Sequence, residues 1–583
     1  MTIESILLAS PILLPWFGSL LIPLINEDKE KITHTLAAIF GVLTAAVAIG
    51  LLFIPESTTV NVPTGMFIGE FALSLNTISL MLALIASIIG GLAIHFSTSY
   101  MHNEQQLPRY YAFILLFIGS MNGLVLSENL FYTFLFWEMT AICSYALISF
   151  YNDNPDAVRG GLKAFIITQL GGVGMLVGAF LLKSHTGTFM ITNILQNGGT
   201  VPYQALTIAA IGFIVAAAAK SAQVPLHTWL PDAMEAPTPI SALIHAATMV
   251  NAGVYLLARF SAIFEPLPFW QPTLVWLGVI TALLAATMAA VSFDLKRVLA
   301  YSTVSQLGYM VYAIGCGGIF ESQFHLLNHA IFKALLFLTA GAIIHAVGSR
   351  EMRLMGGLRQ KMPYLFIVFL IGASGLAGIP IFNGFWSKDL ILETGFEHGS
   401  IIAWTAMVIT AMITAYYCAR TTYLVFFGHS RSGRDPHEVS IVMKVPLALL
   451  ALGVATSWLL GPSLAHRITE VTHGQPPFQN IGAMAELIFS NWATYLTLFL
   501  LGIGVVGYLK LKTLKGIAYE APFFIRAAEH GFGFEKLNNL VVRTTNLLAE
   551  GVRSLHTGIL NWNFFLIIIT GAAMLVFVIW RGA

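Results

Sequence analysis

The sequence predicts an all-α polytopic membrane protein with about 16 transmembrane helices. Of its 583 residues, 57% are hydrophobic and only 10% are charged, whereas soluble domains carry about 25% charged residues. Apolar runs of about 20 residues recur along almost the whole chain, and each is long enough to cross roughly 30 Å of hydrocarbon. This composition excludes a separate soluble domain, and the net charge of +1 indicates no class of partner.

Sixteen apolar segments are predicted to be helices, and the seventh and twelfth are predicted to be broken. The positive-inside rule then places both termini outside, because the outer segments hold only Lys183, Arg259, Arg467 and Arg581. The first run lacks a basic leader and a small-residue cleavage site, so it is predicted to be retained. The predicted helices are 4–26, 33–54, 72–96, 110–126, 130–150, 164–182, 204–235, 240–258, 273–292, 298–316, 323–347, 363–392, 399–420, 446–461, 488–509 and 560–580.

The two predicted breaks, near Pro225–Pro239 and Gly378–Lys388, lie five helices apart. Because five is odd, the second unit enters the membrane from the opposite side, as in the inverted repeats of many transporters. The predicted regions are N-terminal helices (1–109), a first five-helix repeat (110–262), a second, inverted five-helix repeat (270–428), additional helices (429–510), an amphipathic lateral segment (511–558) and a C-terminal transmembrane helix (559–583).

The segment 511–558 mixes charged residues with Leu, Val and Phe at helical spacing. This pattern is typical of a lateral helix that lies along the membrane or along a neighbouring subunit. Forty helical residues would reach about 60 Å. A short interfacial hairpin is the alternative.

Ionisable residues are predicted inside several spans, where a charge is costly and usually marks an ion path. Lys220 lies near the end of an apolar helix, just before a proline-interrupted stretch, and His245 lies in the next helix. Irregular backbone at membrane depth is tolerated only where it is buried in protein or lines water. The candidate proton relay is Glu138, Lys220, His245, His325, His329, Lys333 and Lys388.

His325, His329 and Lys333 stand at i, i+4 and i+8, so they form one polar stripe on an apolar helix. The two histidines could form half of a metal site, but no Glu, Asp or Cys ligand is close in sequence and the lysine would repel a cation. They could also be hydrogen-bonded core residues. A proton relay is the favoured interpretation, because histidine titrates near neutral pH.

Glu138 and Lys220 are expected to pair between the fifth and seventh helices. Opposite charges 4 Å apart attract by about 4 kcal/mol at an effective dielectric constant near 20. A static buried ion pair is one alternative. In the other, the pair opens and closes, so that it gates the passage of a proton from Lys220 to His245.

Polar side chains around these groups are candidates for holding water, although single hydroxyls are common in membrane helix packing. No metal or cofactor is predicted on this chain, because Cys143, Cys316 and Cys418 are scattered singly and form no CxxC motif. The supporting polar residues are Thr248, Ser302, Thr303, Ser305, Asn328, Ser387 and Asp389.

Over about residues 70–430 the chain resembles the antiporter-like subunits of respiratory complex I, shared with membrane-bound hydrogenases and Mrp-type cation/proton antiporters. The resemblance is carried by FWEMTAICSYALI, AKSAQVPLHTWLPDAMEAPTPISALIHAATMV, DLKRVLAYSTVSQLGYM, HLLNHAIFKALLFLTAGAIIH and GIPIFNGFWSKDLIL. It implies that Glu138 and Lys220 are the gating pair and that Lys388 is the terminal proton carrier. It also implies that His245, His325, His329 and Lys333 form the central relay.

The chain departs from this family in two places. Members often have Gly-Asp where this chain has Gly171-Gly172, so a carboxylate is missing there. The amphipathic segment and the helix after it resemble the L-type subunit, but the segment is shorter than in a typical L subunit of complex I, which favours a smaller or variant complex.

The leading hypothesis is a proton-translocating subunit of a redox-driven complex in a prokaryotic cell membrane, with other membrane subunits and the lipid bilayer as partners and no nucleic acid. The alternatives are a subunit of a cation/proton antiporter, for H⁺ or Na⁺, and a subunit of an inorganic-carbon uptake complex. A chain that itself binds quinone or haem is a further class. It is disfavoured because no bis-histidine haem pattern and no nucleotide site is found.

Overall fold

Helices make up nearly all of the regular structure in the computed structural model of the chain, which describes residues 3–65, 68–431, 436, 438–471, 476–511 and 523–554. Within these residues, 13 helices are long and apolar enough to cross a membrane. The predicted fold class is therefore confirmed, and the chain is an integral multi-pass membrane protein.

Eight α-helices precede the first break among the described residues. Several begin after an asparagine whose side chain accepts a hydrogen bond from a first-turn N–H group, as at Asn76, Asn129 and Asn154. Such caps satisfy backbone donors that have no partner inside the helix. The helices are α1 (Ile3–Leu21), α2 (Glu30–Gly50), α3 (Thr77–Tyr100), α4 (Leu107–Leu126), α5 (Leu130–Ile148), α6 (Pro155–Thr186), α7 (Ile191–Gln196) and α8 (Tyr203–Lys220).

A two-stranded antiparallel hairpin, which the sequence did not predict, lies between α2 and α3. Strand β1 (Thr59–Val62) pairs with β2 (Phe71–Ser74), with Thr59 opposite Ser74. The prediction that the third helix begins at residue 72 is therefore wrong. Helix α3 begins at Thr77, because Asn76 and Ser79 form a reciprocal capping box that fixes its first turn.

The first predicted break is present, but it begins earlier than expected. Helix α8 ends at Lys220, so the predicted seventh helix does not run on to residue 235. Two short helices follow, α9 (Trp229–Asp232) and α10 (Thr238–Ala242). A π-helical turn over Leu243–Ala247 then leads into α11 (Met249–Phe264).

The second predicted break is also present. Helix α16 ends at Ala377, and the next residue, Gly378, has a φ of 90°, which suits glycine because it carries no Cβ. Helix α17 then begins at Asn383 and extends to His398, beyond the predicted end at residue 392. The helices of this region are α12 (Trp270–Val291), α13 (Leu295–Gly315), α14 (Ile319–Val347), α15 (Leu358–Lys361), α16 (Pro363–Ala377), α17 (Asn383–His398) and α18 (Ile401–Phe426).

Four more helices are described in the first of two compact units, which extends to residue 520. They are α19 (Ile441–Thr456), α20 (Gly461–Val471), α21 (Ile481–Ser490) and α22 (Trp492–Leu511). Each predicted span except the last coincides with described helical structure, and the predicted helix 560–580 lies outside the described residues. The division into two five-helix repeats stays a prediction.

Close backbone contacts between small residues hold α6 against α8. A Cβ atom added at Gly174 would lie 2.7 Å from the Gly212 carbonyl oxygen, and one added at Gly212 would lie 2.3 Å from that of Gly174. Small residues permit such approaches in membrane proteins. This contact fixes α8, and with it Lys220, relative to the neighbouring α6.

The second unit contains α23 (Phe523–Glu529) and α24 (Phe534–Ser554). A glycine-rich turn over Gly531–Gly533 separates them, so the predicted continuous helix of about 60 Å is wrong over the described residues. Helix α24 alone spans about 31 Å. It is amphipathic as predicted, and its exposed apolar side chains include Leu537, Leu540, Val542, Leu547 and Leu548. Residues 512–522 and 555–558 of the predicted segment lie outside the described residues.

Candidate functional site

Lys220 is the last residue of α8 and is completely buried. Its Nζ donates a hydrogen bond of 2.8 Å to the main-chain oxygen of Trp137 in α5, and it lies 4.9 Å from the centre of the Trp137 ring. A helix C-terminus and an aromatic face both favour a cation. The lysine is thus held by dipoles within the protein.

The predicted contact between Glu138 and Lys220 is absent from the described ion pairs. Lys220 instead donates a hydrogen bond to the main-chain oxygen of Trp137, the residue before Glu138. Both carboxylate oxygens of Glu138 are buried without a hydrogen-bond partner among the described residues. The two side chains therefore form no ion pair among the described residues, and their role as a gate stays a prediction.

Gly172 makes room for the Glu138 carboxylate. A Cβ atom at this position would lie 2.1 Å from Glu138 Oε1, whereas one at Gly171 would meet Ala219 of α8 at 2.4 Å. Gly171 therefore packs against α8, and Gly172 borders the carboxylate of Glu138 in α5.

His245 lies in the π-helical turn and is completely buried. Thr248 ends this turn with φ −130° and ψ −103°, and its hydroxyl donates to the Leu243 carbonyl. The imidazole stacks on Phe337 of α14 with ring centres 5.3 Å apart. Neither ring nitrogen has a hydrogen-bond partner among the described residues, although buried polar groups are normally paired with protein or water.

Lys333 lies near the same phenylalanine, with Nζ 6.0 Å from the Phe337 ring centre. It donates to the Leu299 carbonyl at 3.0 Å and to the hydroxyl of Ser302. Like Lys220, it has no ion-pair partner among the described residues. Phe337 thus contacts both His245 and Lys333, which brings the first break close to the central stripe.

The stripe on α14 continues from Lys333 through His329 to His325. The two imidazole centres lie 6.4 Å apart, and both nitrogens of His329 lack a partner among the described residues. His325 is held at both ends, because Nδ1 lies 2.9 Å from the Ser387 hydroxyl and Nε2 lies 3.1 Å from Gln306 Oε1. No third metal-ligating side chain joins the two histidines within the described chain.

Lys388 lies in the second turn of α17, after the second break. Its Nζ donates to the Leu376 carbonyl at 2.7 Å, in the last turn of α16. It also lies 5.6 Å from the ring centre of Tyr309, and this ring is 6.5 Å from that of His325. Tyr309 therefore contacts both His325 and Lys388.

Carboxylates continue from Lys388 along α17. Asp389, which is buried, accepts a hydrogen bond of 2.8 Å from Thr494. One turn further, Glu393 is 8% exposed and its Oε2 has no partner among the described residues. Another turn further, Glu397 is exposed. These residues at i, i+4 and i+8 lead from the buried site to the end of the helix.

Glu321 lies beside this row, one turn before His325 on α14. A Cβ atom added at Gly318 would lie 2.9 Å from Glu321 Oε2 and 3.1 Å from the methyl carbon of Thr394 in α17. Glu321 and Thr394 therefore lie close to each other. Glu321 also lines a cavity of about 750 Å³, together with Glu128 and Arg259. The predicted topology places this cavity at the outer face.

The other predicted supporting residues have structural contacts. Thr303 and Ser305 donate to main-chain oxygens of Leu299 and Ala282. Asn328 accepts from Ser457 and, through its main chain, from Asn383. Four residues of the site were not predicted from the sequence: Gln306, Tyr309, Phe337 and Lys296. The pattern could have indicated Gln306 and Tyr309, because they follow Ser302 at i+4 and i+7.

Two family models match the chain. One, described as NADH:quinone oxidoreductase/Mrp antiporter, TM, matches residues 127–414 and so includes every predicted relay residue. The other, described as NADH-Ubiquinone oxidoreductase (complex I), chain 5 N-terminus, matches residues 62–111.

Curated relatives are chain 5 proteins of NAD(P)H-quinone oxidoreductase. That of a Synechocystis strain is 39% identical over 464 residues, covering 70% of this chain and 68% of that protein. That of a Picosynechococcus strain is 40% identical over 441 residues, covering 69% and 66%. The chain spans about half to two thirds of the length of the curated relatives it matches.

Two solved structures share the fold. A chain of the Mrp complex from a Dietzia species is 27% identical with a TM-score of 0.81, over 98% of this chain and 63% of that chain. A chain of the membrane-bound sulfane sulfur reductase, an archaeal respiratory membrane complex, has a TM-score of 0.78 over 98% of this chain and 100% of that chain. At 23% identity it supports the fold alone.

Proposed function

This chain belongs to the NADH:quinone oxidoreductase/Mrp antiporter family, and we propose that it carries protons across a membrane as one subunit of a larger redox-driven complex. The observation that carries the proposal is a row of buried ionisable side chains between the two helix breaks. Lys220, His245, Lys333, His325 and Lys388 all lie in the membrane region without a counter-ion among the described residues. Burying several such groups is costly, and they are typically found along ion pathways.

The inner half of the path begins at the first break. Protons reach Lys220 from the inside through the irregular segment after α8 and pass to His245. The unpartnered nitrogens of His245 and His329 are suitable positions for water, which bridges buried polar groups that protein atoms do not satisfy.

Glu138 regulates this half. It is only half-buried, so a change of charge in a neighbouring subunit can reach it. Closing the Glu138–Lys220 pair to 4 Å would gain about 4 kcal/mol at an effective dielectric constant near 20. Moving one charge across 100 mV requires about 2.3 kcal/mol, so closing this pair involves enough energy to control a proton step.

His325 accepts and releases a proton with little movement. Gln306 Oε1 accepts from Nε2, so Nδ1 is the nitrogen that changes its proton. The Ser387 hydroxyl lies 2.9 Å from Nδ1 and 3.3 Å from the Asn383 carbonyl. It donates to Nδ1 when the ring is neutral, and it rotates towards Asn383 when Nδ1 carries a proton.

The outer half runs from Lys388 along Asp389 and Glu393 to the exposed Glu397. Glu321 gives this row a second connection, to the cavity at the predicted outer face. The unpartnered Glu393 oxygen takes up the proton from the buried part of the path and passes it on towards the solvent.

The complex is proposed to lie in a prokaryotic cell membrane, with both termini of this chain outside. Other subunits supply the redox chemistry, and this chain holds no cofactor. An Mrp-type cation/proton antiporter is the second candidate, which the likeness to the Dietzia Mrp complex favours. Copurification of flavin or iron–sulfur proteins supports redox drive, whereas copurification of small membrane proteins alone supports the antiporter.

Proton transport by the reconstituted complex tests the proposal. In Lys220→Met and Lys388→Met, pumping should fall by roughly 100-fold or to background, because an essential proton carrier is lost. Lys31→Met, at an exposed position, is the control and should pump normally. Undiminished pumping in both relay variants would refute the proposed path.

A further inference from the structure

Three potential metal ligands meet where α2 begins, far along the chain from the proposed relay. Glu30 Oε1 lies 3.1 Å from His34 Nε2 and 2.7 Å from His102 Nδ1. The three ligand atoms all lie within 4.8 Å of one another. We infer that these side chains form a binding site for a divalent transition-metal ion of the Zn²⁺ type.

The backbone brings the ligands together from separate elements. Glu30 and His34 lie one turn apart on α2, so they occupy the same face. His102 lies in the turn after α3, where Asn103 has a φ of 65°. The Asn103 N–H donates to Glu30 Oε1 at 3.1 Å, which fixes the carboxylate against this turn.

The distances suit zinc. Bonds of 2.0–2.1 Å in a tetrahedral site place the ligand atoms roughly 3.3 Å apart. The two separations from Glu30, 3.1 Å and 2.7 Å, are shorter than this value, and the two histidine nitrogens lie within 4.8 Å of each other, so side-chain rotations must bring the three atoms to the spacing that zinc requires. Two histidines and one glutamate are also a known zinc ligand set, which leaves a fourth position for water.

Tyr111 supplies the outer contact that such sites use. Its hydroxyl lies 2.7 Å from His34 Nδ1, and its ring packs edge-on against the imidazole. When Nδ1 donates to this hydroxyl, the Nε2 lone pair faces the ion, and fixing the tautomer in this way strengthens a histidine ligand.

One side of the site is open. The exposed fraction of the side chain rises from 11% at His34 through 25% at Glu30 to 66% at His102. An ion can therefore enter from the predicted inner face, and water can occupy the fourth position. Binding of the ion would hold α2 against the turn between α3 and α4, because Glu30 and His34 belong to α2 and His102 belongs to the turn.

The competing interpretation is a hydrogen-bonded cluster that binds no metal. Measuring the zinc affinity of the purified intact complex distinguishes a metal site from such a cluster. His102→Asn keeps a hydrogen-bond donor for Glu30 but removes a metal ligand at an exposed position. It should lower the zinc affinity by at least tenfold and abolish the zinc-dependent rise in melting temperature. Tyr111→Phe should lower the affinity by roughly 10–100-fold. The control is His185→Asn, at another exposed histidine, and it should change neither.

X-ray absorption of the zinc-loaded wild-type complex should show two imidazole ligands, and one of them should be lost in His102→Asn. Equal zinc affinity in wild type and His102→Asn, or no zinc bound to the wild type, would overturn the site. Neither result bears on proton transport, so this inference is tested independently of the proposed function.

Discussion

The buried lysines of the relay share one kind of partner. Lys220, Lys333 and Lys388 each donate to a main-chain carbonyl, at Trp137, Leu299 and Leu376. A carboxylate 4 Å away would stabilise the charged amine by about 4 kcal/mol at an effective dielectric constant near 20. A neutral carbonyl holds the proton less strongly, which suits a group that must release it. The sequence located these lysines but not their partners, because a main-chain oxygen leaves no mark in a side-chain pattern.

Gly172 offers a test of Glu138 that leaves the carboxylate in the sequence. In Gly172→Ala, the new methyl group would occupy space 2.1 Å from Glu138 Oε1, so the carboxylate must move. Because the end of a glutamate side chain is flexible, we expect the complex to assemble but to pump severalfold more slowly in vesicles. Gly199→Ala is the control, since its Cβ would meet nothing within 4 Å. Normal pumping by Gly172→Ala would argue against control by Glu138.

Glu393 tests the outer half of the path. Glu393→Gln keeps the size and polarity of this buried side chain but removes its ability to take up a proton. Proton release to the outer face should slow at least severalfold, as followed with a pH dye on that side. Glu397→Gln should have a much smaller effect, because Glu397 is exposed and bulk water can replace it. Equal effects of the two substitutions would count against an ordered row.

At the scale of elements, the two breaks could be predicted and the π-helical turn could not. Prolines and Gly378 mark the breaks in the sequence. No glycine or proline lies within Leu243–Ala247. The turn contains the local hydrogen bond from Thr248 to Leu243 and packs through His245 on Phe337 of α14, and the second of these contacts is a tertiary feature.

Lys296 is predicted to hold the first break in place. Its Nζ, which is buried, donates to the carbonyls of Met234 and Ala236. In Lys296→Met, the Ala236 oxygen loses this bond, and an unsatisfied buried group costs about 1–3 kcal/mol. Since 1.4 kcal/mol is tenfold in an equilibrium constant, amide exchange across residues 221–237 should speed up by roughly tenfold. Exchange in α3 should not change, and unaltered exchange at the break would refute this role.

For the whole molecule, composition and periodicity predicted what depends on the membrane itself. Long apolar runs gave the helices, since each must span the same thickness of hydrocarbon. The hairpin after α2 was missed because its strands have only four residues each and the second, Phe71–Ser74, runs into the apolar segment that was predicted to be a helix from residue 72. Contacts such as Tyr309 between His325 and Lys388 depend on how separate helices pack, which a single sequence does not reveal.

The central claim is that one row of buried groups carries protons through this chain, and Lys333 lies at its middle. The most direct measurement is the number of protons moved per turnover by the intact complex in proteoliposomes, with the driving reaction monitored in parallel. The account predicts that Lys333→Met moves fewer protons per turnover than wild type, while Lys31→Met matches wild type. An unchanged proton count in Lys333→Met would contradict it.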